Sequence, residues 1–411
     1  MAHHRQTDIL VVGGGPAGLL AAKAAASAGI DTLLLEREEK IGFPVHTSGA
    51  TAVYIMQRFK VPERFYHPIR YLRICSPNEA GVFDFPEPVI CVTDVPGFYN
   101  FLAEQAQSKG ATILTGIEAN EPISKNGFVV GCTATSKSSE QIDFSSKILI
   151  DASGYGATIS RKAGMHPGFA RFGVGAEYEL SAPKCRQDEM VIIVGSRFAP
   201  SGYGWLFPWG KKRVRLGVGI LHPDSRADPR EYLKTLLEEA KAFDFDLTDS
   251  KIVEEHHGLV PSDGLAPNMV GNGIMTVGDA AGQASLVAGV GIHLSMLAGQ
   301  LAGTTAAEAV RRGSWERQAL MSYERKFRAT YGRNLAIGYM VNKRIAQWDD
   351  RKWDEGIRAF RTMPSGLVIN VLLSQFPVLS ILSWLVTGPR WWPKAFWYGL
   401  KALVISIRGQ G

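Results

Sequence analysis

Three glycines and an acid near the start of the chain have the types and spacing to hold a dinucleotide. Gly13, Gly15 and Gly18 stand in G-x-G-x-x-G order within DILVVGGGPAGLLAAKAAASAGIDTLLLE, residues 8–36, and Glu36 closes the segment. Gly13 permits a tight turn, Gly15 lets a pyrophosphate come close to the backbone, and Gly18 lets a helix pack closely on its strand. Pro16 and Ala17 then open a helix whose unpaired N–H groups face the phosphates. Glu36, with Arg37 beside it, is placed to accept both hydroxyls of a ribose. The apolar run before the glycines and the Ala-rich run after them read as strand, turn, helix and strand. That context is what gives so short a pattern its meaning.

A second segment, residues 274–303, carries Gly278-Asp279 and then Gly289-Val290-Gly291-Ile292 at the opening of a long helix. It resembles a stretch of the two-dinucleotide-binding-domain flavoproteins. There the Gly-Asp pair meets the ribityl chain and pyrophosphate of FAD, and the following helix points its N-terminus at the flavin. The resemblance implies FAD as cofactor, with Gly278, Asp279, Gly289, Gly291 and Ile292 among its contacts. A helix start suits that place, because its free N–H groups favour the negative charge of a reduced flavin. Residues 148–156, ILIDASGYG, resemble the strand and turn that flank the pyrophosphate in the same group, with Ser160 and Arg161 behind them.

Residues 199–210, APSGYGWLFPWG, are followed by VRLGVG. Period 2 puts Tyr203, Trp205 and Phe207 on one face of a strand, so three aromatics line one wall. Aromatic core of a sheet is the plainer reading of the same pattern. With Pro208 after them, the residues resemble the Tyr-x-Trp-x-Phe-Pro strand of the geranylgeranyl reductase family, and the likeness extends over residues 8–330. It implies reduction of carbon–carbon double bonds in an isoprenoid lipid by reduced FAD. Tyr203, Trp205, Phe207 and Pro208 would then meet the lipid, which offers no charge to grip.

The chain departs from that family in two places. Many members carry a Cys-Gly motif after the first acidic strand, where this chain has Phe43-Pro44-Val45-His46-Thr47-Ser48-Gly49. His46 is therefore one candidate proton donor, since an imidazole titrates near neutrality, and His293 in the first turn of the flavin-facing helix is another. Val95 stands where relatives often have an Arg that helps hold the cofactor. Glu254-Glu255-His256-His257 is not read as a metal site, because neighbouring side chains of a strand point to opposite faces.

Positioning these residues takes an α/β chain in three parts. A discontinuous FAD-binding domain with a doubly wound parallel sheet draws on residues 1–65, 96–165 and 270–330, including a helix and strand within residues 94–116 whose apolar face is Phe98, Phe101, Leu102 and Ala106. An antiparallel β-sheet substrate domain takes residues 66–95 and 166–269. A helical region, residues 331–411, completes the chain.

With 411 residues, 45% of them apolar, the chain can bury a large core. Cys75, Cys91, Cys132 and Cys185 have neither disulfide nor metal spacing, which fits a reducing cytoplasmic setting, and the N-terminus lacks an apolar leader. Residues 362–389 hold no charge, and Pro377 divides them into two short helices. They insert into one membrane face, close the substrate pocket, or do both, and a full span of the bilayer is the third reading. Arg390, Lys394, Lys401 and Arg408 follow among Trp391, Trp392, Phe396, Trp397 and Tyr398, with no acid. Basic residues among aromatics beside an apolar run point to a membrane surface rather than nucleic acid, so peripheral or monotopic attachment is expected. The rival functions are a monooxygenase or halogenase on the same scaffold, and a lipid carrier or assembly subunit that keeps FAD for structure. With one nucleotide fingerprint, assigned to FAD, electrons would come from transiently bound NAD(P)H or from a ferredoxin partner.

Overall fold

The computed structural model describes residues 3–243 and 245–387. Its first sheet has five parallel strands in the order Thr112–Leu114, Thr32–Leu35, His3–Val12, Gln141–Asp151 and Ile274–Thr276. Ile9, Leu10 and Val11 in the middle strand are fully buried, as is the whole of Thr32–Leu35. Helices Pro16–Ser27, Val95–Gln107 and Ile292–Arg312 pack on one face and strands Ile117–Lys125 and Phe128–Ser136 on the other, so the sheet is covered on both sides and its strands read as continuous apolar runs rather than alternating ones. The antiparallel pair Ile117–Lys125 and Phe128–Ser136 extends along the first half of Gln141–Asp151.

The long helix Ile292–Arg312 crosses Pro16–Ser27 at very short range. A Cβ on Gly299 or Gly303 would lie 2.1 or 2.2 Å from the carbonyl oxygens of Ala17 and Ala21, so only glycine allows this approach. The helix expected within residues 94–116 is Val95–Gln107, capped by Asp94, whose carboxylate accepts from the Gly97 amide. Phe98, Leu102 and Ala106 are buried and Phe101 partly so.

The second sheet runs Lys251–Pro261, Phe172–Ser181, Arg213–His222, Ala199–Gly210, Glu189–Gly195, Tyr71–Cys75 and Ala80–Asp84. It is antiparallel except at one pair, where Glu189–Gly195 runs parallel to Tyr71–Cys75. Those two strands come from segments far apart in the chain, and such a return can join the sheet in either direction. Ala50–Ala52, Ile90–Thr93 and Tyr66–Ile69 make a third, three-stranded sheet.

Helices Arg333–Ile345, Asp350–Phe360, Ser365–Leu372 and Val378–Thr387 finish the described chain, and the break before Pro377 is where the sequence places it. Asp354 anchors them to the second sheet. Its carboxylate accepts from the Ser76 hydroxyl at 2.7 Å, the Asn78 amide at 3.1 Å and the Asn78 side chain at 2.8 Å. Among the described residues no helix is long and apolar enough to cross a membrane. The basic and aromatic stretch from Arg390 to Arg408 lies outside the described residues.

Candidate active site

Between the two sheets runs a cleft of about 1060 Å³. The glycine turn forms one side, and its three glycines have three different physical reasons. Gly13 has φ +109°, and a Cβ there would lie 2.3 Å from the Ala152 carbonyl oxygen. A Cβ on Gly18 would lie 1.9 Å from the Gly13 carbonyl oxygen, while one on Gly15 would meet nothing within 4 Å. The first two glycines are needed by the fold. The third leaves open space at the turn.

Glu36 closes over this turn, accepting from the Gly14 amide at 2.6 Å and the Glu38 amide at 2.9 Å. Arg37, Pro16 and Ala17 line the same cleft, as do Asp279, Gly289, Gly291 and Ile292 from the second segment. Gly278 stands just behind with φ +65°, a Cβ there falling 2.9 Å from that of Ala17. Burial pushes the Asp279 carboxyl up to about 6. The starts of helices Pro16–Ser27 and Ile292–Arg312 both border the cleft, so two sets of free N–H groups converge on it.

Asp151 holds the third wall and was not singled out from sequence. Its buried carboxylate accepts from the amides of Ser153, Ile159 and Ser160 and from both serine hydroxyls, which shapes the turn at Ala152–Gly156. One acid taking five donors explains why ILIDASGYG continues as it does to Ser160.

A second cavity, of about 250 Å³, is mostly apolar. Tyr203 and Trp205 line it from the sheet, and Val341, Ile345, Trp353, Met363, Val368 and Leu372 from the C-terminal helices. Residues 362–372 therefore close this pocket, one of the roles expected of them. Tyr203, Trp205 and Phe207 share a face, with ring centroids 5.7 and 6.1 Å apart along the row. Phe207 and Pro208 are buried in the sheet packing beyond the cavity. The Tyr203 hydroxyl donates to the Ala288 carbonyl at 2.5 Å and ties the wall to the loop that precedes Gly289.

Beside Tyr203, the register aligns Gly219, Gly175 and Gly258 on three adjacent strands. This glycine furrow lies where the cavities meet. Gly175, Gly258 and Gly289 border both, together with His46, Thr47, Val174, His257, Leu259 and Val260. His46 donates from Nδ1 to the His257 carbonyl at 2.8 Å, so the loop that holds it is pinned to the furrow.

His293 is elsewhere. It is 1% exposed and borders a separate cavity with Tyr54, Asn334 and Ser374 rather than either part of the cleft. Burial lowers its imidazole to about 4, and its Nδ1 has no partner. The sequence places it in the first helical turn, but helix rotation turns it away from the cofactor side. A proton donor at the flavin is thus not its position. His256 and His257 point apart as adjacent strand residues do, the first buried and the second exposed. Glu179, Glu254 and His256 do come together, yet Arg213 and Arg215 already pair with Glu179.

The chain is similar to known proteins over most of its length. A family model described as FAD binding domain matches residues 6–336. The chain is similar to digeranylgeranylglycerophospholipid reductase 2 of Methanothermobacter thermautotrophicus, 32% identical over 360 residues that cover 86% of this chain and 91% of that protein. It is also similar to the protein of the same name from Methanococcoides burtonii, 30% identical over 392 residues, 93% of this chain and 95% of that one. Among solved structures, a geranylgeranyl bacteriochlorophyll reductase-like protein from Thermoplasma acidophilum has TM-score 0.84 at 24% identity, covering 93% of this chain and 96% of that chain. A flavin-dependent brominase has TM-score 0.68 at 16% identity, covering 90% and 94%. These two likenesses speak to the fold alone.

Proposed function

Because the chain belongs to the geranylgeranyl reductase family of FAD-dependent oxidoreductases, we propose that it saturates carbon–carbon double bonds of a geranylgeranyl or related isoprenoid lipid, by hydride transfer from reduced FAD. The observation that carries this reading is the meeting of two unlike cavities. A long cleft with a glycine turn and two helix starts opens at Gly175, Gly258 and Gly289 into a cavity walled by aromatic and aliphatic side chains.

The cleft fits FAD. Gly13, Gly15, Pro16, Ala17 and Gly18 would hold the pyrophosphate at the first helix start, and Glu36 and Arg37 the adenosine ribose. Gly278 and Asp279 would meet the ribityl chain, and Gly289, Gly291 and Ile292 the flavin. When bound and reduced, the cofactor supplies a hydride with its two electrons. The chain's own part is alignment and exclusion of water. Tyr203 and Trp205 offer a flat wall to a prenyl chain, whose binding rests on buried area at about 0.8 kcal/mol per methylene. Phe207 and Pro208 hold that wall in register from behind, and His46 fixes the loop at the junction. The furrow lets an alkene approach the sheet backbone where a larger residue would stand.

Electrons would arrive from NAD(P)H or a ferredoxin. The C-terminal region would rest on a membrane surface at the cytoplasmic side, where a lipid substrate resides. Anaerobic reduction of the holoprotein by dithionite, followed by geranylgeranyl lipid, should reoxidise the flavin and yield product heavier by two mass units per double bond. Turnover that requires oxygen and adds sixteen would overturn the reading in favour of a monooxygenase. Removing residues 390–411 should weaken binding to liposomes of anionic lipid, and unchanged binding would overturn the membrane assignment.

A further inference from the structure

Saturation of an alkene takes one hydride and one proton, and the apolar cavity has a built path for the second. His256, Glu177, Gly217 and Trp205 stand in register on one face of four adjacent strands. The indole N–H of Trp205 donates to Glu177 Oε2 at 2.8 Å. Glu177 Oε1 meets His256 Nδ1 at 2.9 Å, and His256 Nε2 meets Glu254 Oε2 at 3.1 Å. Glu177 and His256 are 4% and 5% exposed and line the cavity, whereas the Glu254 side chain is 48% exposed on the sheet's outermost strand. Hydrogen bonds therefore run unbroken from water to the cavity wall.

We propose that Glu254, His256 and Glu177 form a proton relay for the reduction. Glu177 gives its proton to the alkene carbon that does not take the hydride, His256 reloads Glu177 through Nδ1, and solvent reloads His256 through Glu254. One carbon–carbon π bond is lost and two C–H bonds form. The hydride and its two electrons come from the reduced cofactor, which is left oxidised, and the proton comes from solvent, so the relay ends as it began. The inference rests on the lipid-alkene reading of the cavity.

The surrounding charges suit this role. Burial opposes a proton on His256, but its hydrogen bonds to the Glu177 and Glu254 carboxylates outweigh it and raise the imidazole above its ordinary value, against the nearby Arg215. From the strand Phe172–Ser181 the facing groups are Glu177 and Glu179, and from Arg213–His222 they are Arg213 and Arg215. Arg213 and Arg215 both engage Glu179, while Arg215 stands 3.9 Å from Glu177. Glu177 thus shares Arg215 with Glu179, while its hydrogen bonds go to His256 and Trp205. Glu255 and His257 belong to the opposite face of the strand.

The test compares His256→Gln, which keeps a hydrogen bond to Glu177 but carries no proton, and the milder Glu254→Gln, with the unaltered holoprotein. Each variant should retain FAD and lipid affinity. Single-turnover reoxidation by the lipid should slow on the order of a hundredfold in His256→Gln. The fall in rate as pH rises through the imidazole's titration should vanish with it. Independently of turnover, ¹⁵N-histidine spectra of the oxidised holoprotein should show the signal missing from His256→Gln titrating at lower pH once Glu254 is Gln. Unchanged rate and pH profile in His256→Gln, with the unaltered protein active, overturns the relay alone. An unaltered protein that reduces no lipid overturns the functional reading and the relay together. A histidine titration unmoved by Glu254→Gln overturns the solvent end of the path.

Discussion

The indole of Trp205 lies flat across Gly217 and donates its N–H to Glu177 on the far side, at 2.8 Å. A Cβ on Gly217 would fall 2.2 Å from the indole ring, so the strand between the two partners must present a glycine. The aromatic wall is therefore also the lid on a buried carboxylate. Gly217→Ala should push the indole from its seat and cost about 1–3 kcal/mol of stability. Lipid turnover should fall while FAD stays bound. Urea unfolding with absorbance of the bound flavin checks both, and loss of FAD together with turnover would contradict the assignment.

Trp205→Phe removes the donor and shrinks the ring. Glu177 keeps His256 but loses one charge-assisted hydrogen bond, and we expect a loss of about 1.5–3 kcal/mol in urea unfolding. A variant as stable as the parent would mean that the hydrogen bond to Glu177 adds nothing to stability.

The two outer glycines of the dinucleotide turn should differ from the middle one. Gly13→Ala or Gly18→Ala places a methyl against backbone and should destabilise the FAD-free protein itself. Gly15→Ala has open space around it, so FAD-free stability should hold while FAD affinity falls about tenfold or more, the equivalent of at least ~1.4 kcal/mol. Thermal unfolding of the stripped protein and flavin titration separate the two outcomes. Equal loss of stability at all three positions would count against the pyrophosphate assignment.

Asp279 and His293 give opposite pH slopes in the FAD-free protein. Asp279 is raised to about 6 by burial, so its folded form prefers the proton. Its penalty is fully present above about pH 7 and is relieved as pH falls through 6 towards 4. Asp279→Asn should therefore gain about 1–2 kcal/mol at pH 7, a figure reduced for the water that enters the cleft, and the gain should fade in acid. His293 is lowered to about 4, so its folded form prefers neutrality. Stability is lost as pH falls from 6.5 towards 4, by up to about 3 kcal/mol, and His293→Gln should flatten that limb. Urea midpoints of both variants against pH are the measurement, and parallel curves for variant and parent would refute either assignment.

Asp354→Ala leaves Ser76 and Asn78 without their acceptor and unfastens the helices from the sheet. KM for the lipid should rise by tenfold or more with FAD binding untouched, since the helices line the apolar cavity and not the cleft, and loss of one buried charged partner is worth about 1–3 kcal/mol. A KM that does not move would show that the helices do not hold the substrate.

Much of the cofactor site was legible because its signals are local. Gly13, Gly15 and Gly18 lie within one turn, and Gly278 to Ile292 within one strand–loop–helix unit, so spacing along the chain is also spacing in space. Asp151 escaped notice because a carboxylate that organises a turn looks, in sequence, like any acid at a strand end. His293 misled for a related reason. One residue along a helix turns a side chain by about 100°, and the position of a helix start does not say which residue faces the ligand.

The sequence by itself determined that this chain binds a dinucleotide, that three aromatics share a face, and that Pro377 divides the apolar region. Each rests on a period or a turn of a few residues. Only the tertiary structure decided what those pieces face. Gly217, Glu177 and His256 come from three strands separated by dozens of residues, and their row exists solely through cross-strand register. The same pairing aligns Gly258, Gly175 and Gly219 beside Tyr203 and opens the passage between the two cavities. A one-residue slip in any of those strands would turn its side chains to the other face, and long-range register is not written in local spacing.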